Sequence, residues 1–297
     1  MKYKVLIIIV TYNGIKWIKK CLSSVFATED AYDCIIIDNG STDGTQQFIK
    51  INFPDTIFIQ SEKNLGFGQA NNIGIKYALD NSYDFIYLLN QDAMIFSETI
   101  PLLISIFEKY PQYGILSPVQ LQANLNYFDH NFIKSIVQSK SGKDYIEDIY
   151  FKKIREVYPL EDVLAANWLI KRECFNVVGG FSPSFPHYGE DNNYCDRALY
   201  HGFKIGFVPE AKAIHDTEFR EISRDKAIYL THMHNVAMLN NIYNPESFLL
   251  IRTLINSLRV AFRYKSYIPL KNLITLLLNL TQYNRNNKIS KGKGAFI

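Results

Sequence analysis

The sequence predicts an α/β protein: a mostly parallel central sheet flanked by helices, followed by a C-terminal helical appendage. Three observations carry this. Apolar runs rich in β-branched or aromatic residues recur through the first 120 residues and stop abruptly at turn residues. Helix-like stretches separate them. Beyond about residue 221, apolar residues recur at helical spacing among cations. Short apolar runs bounded by turn signals read as buried parallel strands, and their alternation with helices implies βαβ units with right-handed crossovers. With 297 residues, 47% of them hydrophobic, the chain can bury a full core as one large domain with an appendage.

Strands are expected near 4–10, 33–37, 56–60, 84–89 and 114–117, with helices at 15–26, 43–52, 67–80 and 97–109. The run from Val5 to Val10 is too short for a signal h-region and ends at Thr11-Tyr12-Asn13, so it reads as the first strand. Ser41 or Thr42 is the expected cap of the second helix and Ser97 of the fourth. Between 119 and 160, Asn, Gln, Lys and aromatics mix without period, and no element is assigned. Periodicity returns at Val163 to Ile170, then in a short helix from Lys171 to Val178 that Gly179-Gly180 ends. A polar helix is expected from Gly189 to Tyr200 and a strand from Lys204 to Val208. Helices follow over 222–242, 246–264 and 267–283, with Pro245 and Pro269 marking starts. No run reaches the roughly 18 apolar residues of a membrane-spanning helix.

Charge is unevenly spread. Nine Lys/Arg follow Glu246 with no Asp or Glu among them, so the +3 of the whole chain conceals −6 over residues 1–246. The cysteines Cys21, Cys34, Cys174 and Cys195 lack C-x-x-C spacing and read as reduced thiols of a cytosolic protein.

Polar groups at the carboxyl ends of parallel strands lie where open α/β sheets bind ligands. Asp38-Asn39-Gly40-Ser41-Thr42-Asp43 follows Cys34 to Ile37, and Asn90-Gln91-Asp92 follows Phe85 to Leu89. Capping accounts for Ser41, Thr42 and Asp43 but not for Asp38 at the strand end. Asn90 and Asp92 alternate in pleat and project to one side, where hard oxygen ligands suit Mg²⁺ or Mn²⁺ bound partly through substrate phosphates. A turn or helix-cap Asp is the plainer alternative. Val10 to Asn13 reads as a turn able to contact a nucleobase. The segment from Asn64 to Gly74 supplies G-x-G-x-x-N and lacks the third glycine of the dinucleotide fingerprint. Its Gly- and Asn-rich helix start can still receive phosphate or ribose. Glu190 and Asp191 open a helix, where the macrodipole alone would favour acids. Glu190, Tyr194 and Arg197 share a face and Asp191 points elsewhere, so one acid can serve structure while the other acts as a general base. His215 follows the last strand; His187, His201, His232 and His234 read as incidental.

In order, V-T-Y-N, D-N-G-S-T-D-G-T, N-L-G-F-G-Q-A-N-N-I-G, L-L-N-Q-D, R-E-C-F-N-V-V-G-G-F, G-E-D and F-V-P-E-A-K-A-I-H resemble the family-2 glycosyltransferases, inverting nucleotide-sugar enzymes of the GT-A fold, many of which build bacterial cell-surface polysaccharide. The resemblance runs from Val5 to about His215. It implies a GT-A catalytic domain over 1–220, with a nucleotide-binding half (1–118) and an acceptor and catalytic-base half (119–220), and a basic helical region over 221–297. It implies nucleotide contacts from Thr11, Tyr12, Asn13, Asp38, Asn39, Asn64, Gly66, Asn71 and Asn90. Asp92 would bind the Mn²⁺ or Mg²⁺ that bridges the diphosphate, with His215 beside it. Asp191, or Glu190 in its place, would be the base. Asn90 departs from the family's D-x-D, a weaker ligand where an Asp is usual.

Implied partners are a nucleotide-sugar donor and a saccharide or lipid-diphosphate-linked acceptor, with no nucleic acid. Trp168 and Tyr188 are candidate acceptor contacts, although Trp168 could equally be an interior aromatic. The helices beyond 246, with Phe248, Leu249, Ile251, Leu254, Leu273 and Leu276 among their apolar residues, are expected to settle on anionic membrane at the inner face of the cell. A hairpin packed on the catalytic domain, or a homodimer contact, is the alternative. The rival functions are a non-catalytic nucleotide-sugar-binding protein of the same fold and a nucleotidyltransferase. The second would need a Gly-rich basic loop after the first strand, which Thr11–Lys16 lacks.

Overall fold

A computed structural model describes residues 2–216, 223–243 and 246–297, apart from the side chains of residue 140 and residues 246–249. The expected helix start at Pro245, residue Ile222 and the side chains of Phe248 and Leu249 lie outside the described residues. A nine-stranded mixed sheet forms the centre. Its first half comprises β1 (Val5–Thr11), β2 (Asp33–Asp38), β3 (Ile57–Gln60), β4 (Phe85–Asn90) and β5 (Ala93–Ile95). Its second comprises β6 (Tyr113–Leu121), β7 (Tyr158–Leu160), β8 (Asn167–Lys171) and β9 (Lys204–His215). The order is β3-β2-β1-β4-β8-β6-β9-β5, with β7 also on β9. Strands β1 to β4, β6 and β9 run one way; β8 is antiparallel to β4 and β6, and β5 and β7 are antiparallel to β9.

Alternation in β1 explains the double-sided core. Leu6 and Ile8 face one layer, and Val5, Ile7 and Ile9 the other. Helices α3 (Phe67–Asp80), α7 (Arg172–Val178) and α8 (Glu190–Tyr200) cover the first face. Helices α1 (Ile18–Phe26), α2 (Thr45–Asn52) and α4 (Thr99–Lys109) cover the second. The four cysteines are free and buried.

The expected helix caps are corrected. Gly44 and Glu98 occupy the N-cap positions of α2 and α4 without side-chain cap bonds. Ser41 instead bonds Asp38, because the loop after β2 needs its hydroxyl more than the helix does. The unassigned stretch holds two helices, α5 (His130–Gln138) and α6 (Lys140–Tyr150), capped by Asp129 and Ser139. Strand β9 runs well past Val208: three extra residues after Pro118/Val208 form a bulge, and the strand then pairs with β5, setting His215 opposite Ala93.

Beyond the sheet lie α9 (Arg224–Leu239), α10 (Glu246–Tyr264), α11 (Ile268–Leu278) and α12 (Leu280–Ser290). The single helix expected over 267–283 is divided at Asn279, with Pro269 in the first turn of α11. Phe185, Met233, Val236, Leu239, Leu276 and Tyr283 form a small core that fixes these helices to the loop after α7. Residues 294–295 reach the same loop, where Gly180 N–H donates to Ala295 O and Gly294 N–H to Val177 O. Arg197, fully buried on α8, donates to the Gly180 carbonyl at 2.6 Å and to that of Val178, and lies over the Phe296 ring. The packed-hairpin expectation thus holds for α12 and the segment after it. Along α10 and α11, Ile251, Leu254, Leu258, Phe262, Ile274 and Leu278 remain exposed. No described helix is long and apolar enough to cross a membrane.

Candidate active site

The carboxyl ends of β1, β2 and β4 and the start of α3 surround a cavity of about 610 Å³, within the usual size of small-molecule sites. Tyr12, Asn39, Asn64, Gly66, Asn90 and Asp92 line it, six of the residues expected to bind nucleotide or metal. Val10, Leu65, Phe67, Gln91, Pro186 and His187 complete the wall; Val10 and Phe67 fall in segments expected on the nucleotide side, and Pro186 and His187 in the Gly179–Tyr188 loop, which was expected to meet the acceptor. His187 was read as incidental; nothing in its local sequence distinguishes it, and only tertiary packing brings the loop after α7 across the sheet. Gly66 shows why that loop fits: its φ is 81°, and a Cβ there would collide with the Pro186 carbonyl oxygen.

Four expected nucleotide residues stand behind the wall instead. Asp38 is fully buried and both its oxygens are occupied. Oδ1 accepts from Gly40 N, Ser41 N and Gln46 Nε2, and Oδ2 accepts from Ser41 Oγ at 2.5 Å. Gly40, at φ 79°, makes the turn that closes this ring. Thr11 is buried and its Oγ1 donates to Gln91 Oε1 at 2.7 Å; Gln91 also accepts from Tyr12 N. Asn13 Oδ1 accepts from Thr42 N, and buried Asn71 Nδ2 donates to Phe67 O. Thr11, Asn13, Asp38 and Asn71 therefore hold the two loops in shape, whereas Tyr12, Asn39, Asn64 and Asn90 line the cavity.

Trp168 is corrected to the core. Its side chain is fully buried, stacked with Phe181 at 6.5 Å and 6.0 Å from Tyr194, and no face is open to a sugar. Trp168→Phe should lower the unfolding midpoint through lost packing, by about 1–3 kcal/mol, and leave the acceptor KM unchanged. Tyr188 is exposed beside His187, at φ 69°, an uncommon conformation for an aromatic residue.

The strand-end acid lies beside a histidine. His215 Nε2 is 3.6 Å from Asp92 Oδ1, and His215 Nδ1 is 3.4 Å from Asp129 Oδ2. Burial opposes a charge on this ring, but the two carboxylates outweigh it and hold its pKa up at about 9. Among the described residues no group of three His, Cys, Asp or Glu side chains is disposed to enclose a metal. The arrangement instead fits a hard cation held by Asp92 with the balance of its oxygens from a diphosphate, the usual manner for Mg²⁺. His215 would ligate only after losing its proton.

At the start of α8, Asp191 and Glu190 differ as expected. Asp191 is partly exposed; its carboxylate accepts from Asn192 N at 2.9 Å and from the Ala165 backbone. Burial is the largest influence and raises its pKa, while those backbone donors oppose the rise. The neighbouring Ala166 carbonyl accepts from Asn90 N at the end of β4, while Asp191 itself is not among the residues lining the cavity that Asp92 lines. Glu190 is buried, its Oε2 lacks a partner, and burial followed by Asp191 raises its pKa to about 8. At neutral pH Glu190 is mainly protonated.

The sign of its pH effect follows. Glu190 favours the proton in the folded state, so its contribution to stability is complete below its ordinary pKa of 4.5 and is lost as pH rises towards about 8. Glu190→Gln should therefore gain thermal stability relative to the parent between pH 5 and about 8, with a constant difference on either side. Melting curves across that range check it.

Residues 6–176 match the family model for glycosyl transferase family 2. The N-acetylglucosaminyl-diphospho-decaprenol L-rhamnosyltransferase of Mycobacterium tuberculosis is 24% identical over 248 residues, covering 77% of this chain and 80% of the relative. The dTDP-rhamnosyl transferase RfbF of Shigella flexneri is 24% identical over 216 residues, covering 72% and 70%. Among solved structures, the mannosyltransferase PcManGT of Pyrobaculum calidifontis, in complex with GDP-Man and Mn²⁺, superposes with a TM-score of 0.60 at 16% identity over 97% of this chain and 84% of that one. Staphylococcus aureus TarS with UDP superposes at 0.55, with 16% identity over 97% and 80%. The fold is GT-A, and with more than half its length under the family model, the chain is a glycosyltransferase belonging to glycosyl transferase family 2.

Proposed function

We propose that this glycosyltransferase moves a deoxyhexose from a nucleoside-diphosphate donor to a lipid-diphosphate-linked saccharide, inverting the anomeric carbon. The observation that carries the reading is the single cavity joining the expected base-contact residues Tyr12 and Asn39, the helix start at Gly66 and the acid Asp92. The rhamnosyl-transferring relatives favour a deoxyhexose and a polyprenyl-diphosphate-linked acceptor. Residues 1–118 serve the donor, and residues 119–220 supply the base and the acceptor contacts.

Tyr12 and Asn39 flank the nucleobase and ribose, and the amide ends of Asn64 and Asn90 hydrogen-bond the sugar and phosphates. The N-terminus of α3 faces the diphosphate with its free N–H groups. Asp92 is the ligand for a divalent cation, Mn²⁺ or Mg²⁺, which when bound offsets the charge developing on the departing diphosphate. Asp191, its pKa raised by burial, accepts the proton of the acceptor hydroxyl as that oxygen attacks the anomeric carbon. Neutral Glu190 beneath it avoids a second adjacent charge. Tyr188, exposed beside the cavity-lining His187, contacts the acceptor. A non-catalytic role is disfavoured by the investment in Asp191, whose environment suits proton transfer rather than capping alone.

Titration calorimetry with dTDP, UDP and GDP, each with and without Mn²⁺, tests the donor side. Tightest binding of dTDP, strengthened by Mn²⁺ and lost in Asp92→Ala, is the expected result. Equal, metal-independent binding of all three would remove the donor assignment.

The exposed apolar surface of α10 and α11, set among cations with no Asp or Glu after Glu246, docks on anionic membrane where a lipid-linked acceptor resides. Full-length protein should float with phosphatidylglycerol-containing liposomes in a salt-sensitive manner. Concentration-dependent dimerisation with no flotation would assign that surface to a second copy of the chain instead.

A further inference from the structure

A second cleft, of about 460 Å³, opens between α9 and α10, away from the nucleotide cavity. Thr231 and His234 line it from α9, and Asn256, Arg259, Val260 and Arg263 from α10. Positions 256, 259 and 263 recur at i, i+3 and i+7, which places them on one side of a helix. No acidic side chain lines the cleft. The exposed cations Lys2, Lys76, Lys109 and Arg155 each meet a carboxylate, whereas Arg259 and Arg263 have none among the described residues. Two guanidinium groups have thus been brought to one concave place without a counter-charge among the described residues.

Roughly a quarter turn round α10 from these arginines runs an exposed apolar stripe, Ile251, Ile255, Leu258 and Phe262. Phe262 is 89% exposed, the largest value among the described hydrophobic residues. A helix with an apolar stripe beside a basic one suits the boundary of a bilayer, with the aromatic among acyl chains and the arginines at phosphate depth.

We propose that the cleft between α9 and α10 is a phosphate-binding site whose phosphate belongs to an anionic membrane lipid. Guanidinium forks match phosphate oxygens in bidentate geometry, and two of them can hold one group from different sides. His234, held below its ordinary pKa by burial and by Arg252, adds a neutral donor. The lipid source rests on the membrane reading above; the phosphate site does not.

Two measurements separate these. In co-sedimentation with phosphatidylcholine vesicles containing phosphatidylglycerol, R259Q/R263Q should bind at least about tenfold more weakly than the parent. The charge-matched pair R285Q/K288Q, exposed on α12, should stay within about threefold. Equal losses from both pairs would reduce the effect to general charge and overturn the site. In calorimetry without metal, dioctanoyl-phosphatidic acid should bind the parent and not R259Q/R263Q, while dioctanoyl-phosphatidylcholine binds neither. Inorganic phosphate binding as tightly, and lost in the same variant, would keep the site and assign it to free phosphate. L258Q/F262Q should lose vesicle binding and retain the calorimetric signal. If the parent binds no vesicle, the membrane reading fails and the calorimetry alone decides the site. Absence of any phosphate-dependent heat, or an unchanged signal in R259Q/R263Q, overturns it.

Discussion

Asp191→Asn is expected to lower turnover by about 10²- to 10⁴-fold while the donor's Kd stays within about twofold. The amide keeps the size of the side chain and can still accept from Asn192 N and the Ala165 backbone, so the start of α8 keeps its shape. What it loses is the ability to take a proton. Single-turnover kinetics with a saturating donor isolates that step. If the rate remains within about tenfold of the parent, the proton leaves by another route and Asp191 is not the base. Glu190→Gln is the natural companion. Glu190 is already neutral at pH 7 by virtue of its pKa of about 8, so its amide variant should retain most activity there. A loss as large as that of Asp191→Asn would exchange the roles of the two acids.

Arg197→Met should be the most damaging substitution outside the cavity, at about 3–5 kcal/mol of stability. The guanidinium is fully buried, and burial depresses its pKa to about 10, so the charge is retained at a cost. It is retained because the carbonyls of Val178 and Gly180 point inward after α7 ends and need donors. Methionine fills similar volume but leaves both carbonyls unsatisfied and removes the cation from the Phe296 ring, 4.9 Å away. A lowered urea midpoint checks the magnitude. Donor affinity should fall as well, because the same loop delivers Pro186 and His187 to the cavity wall.

Much of this was legible in the residues. Val5–Val10, Cys34–Ile37 and Phe85–Leu89 are apolar without interruption because both faces of their strands are covered, and that pattern has few other readings. Asn90 and Asp92 both reach the cavity, but so does Gln91 between them, because β4 ends at Asn90 and a turn rather than pleat alternation carries residues 91–92. Failures came where tertiary context decides. Ala93-Met94-Ile95 is too short to announce a strand; it becomes one because the β9 bulge brings Ala213 to His215 alongside. The helix after Asp129 carried a capping signal, Asp129 before Phe132 and Ile136, hidden in an otherwise polar stretch. Asp38 has the position of a ligand residue but spends its oxygens on its own loop, a choice visible only once Gln46 is seen returning to it. Trp168 illustrates the same limit, since an aromatic ring at a strand suits a sugar platform or a core equally well until its neighbours are known.

The loop from Gly179 to Gly189 is completed only when Gly180 meets Ala295 and Ser184 meets Asn286, partners about 100 to 115 positions later in the chain. A nascent chain emerging from the ribosome would therefore hold β1 to β3 in register while the loop that carries Pro186 and His187 still lacked its partners until synthesis had passed residue 295. Vectorial assembly of this kind makes the Gly179–Gly189 loop one of the last parts of the fold to gain its partners.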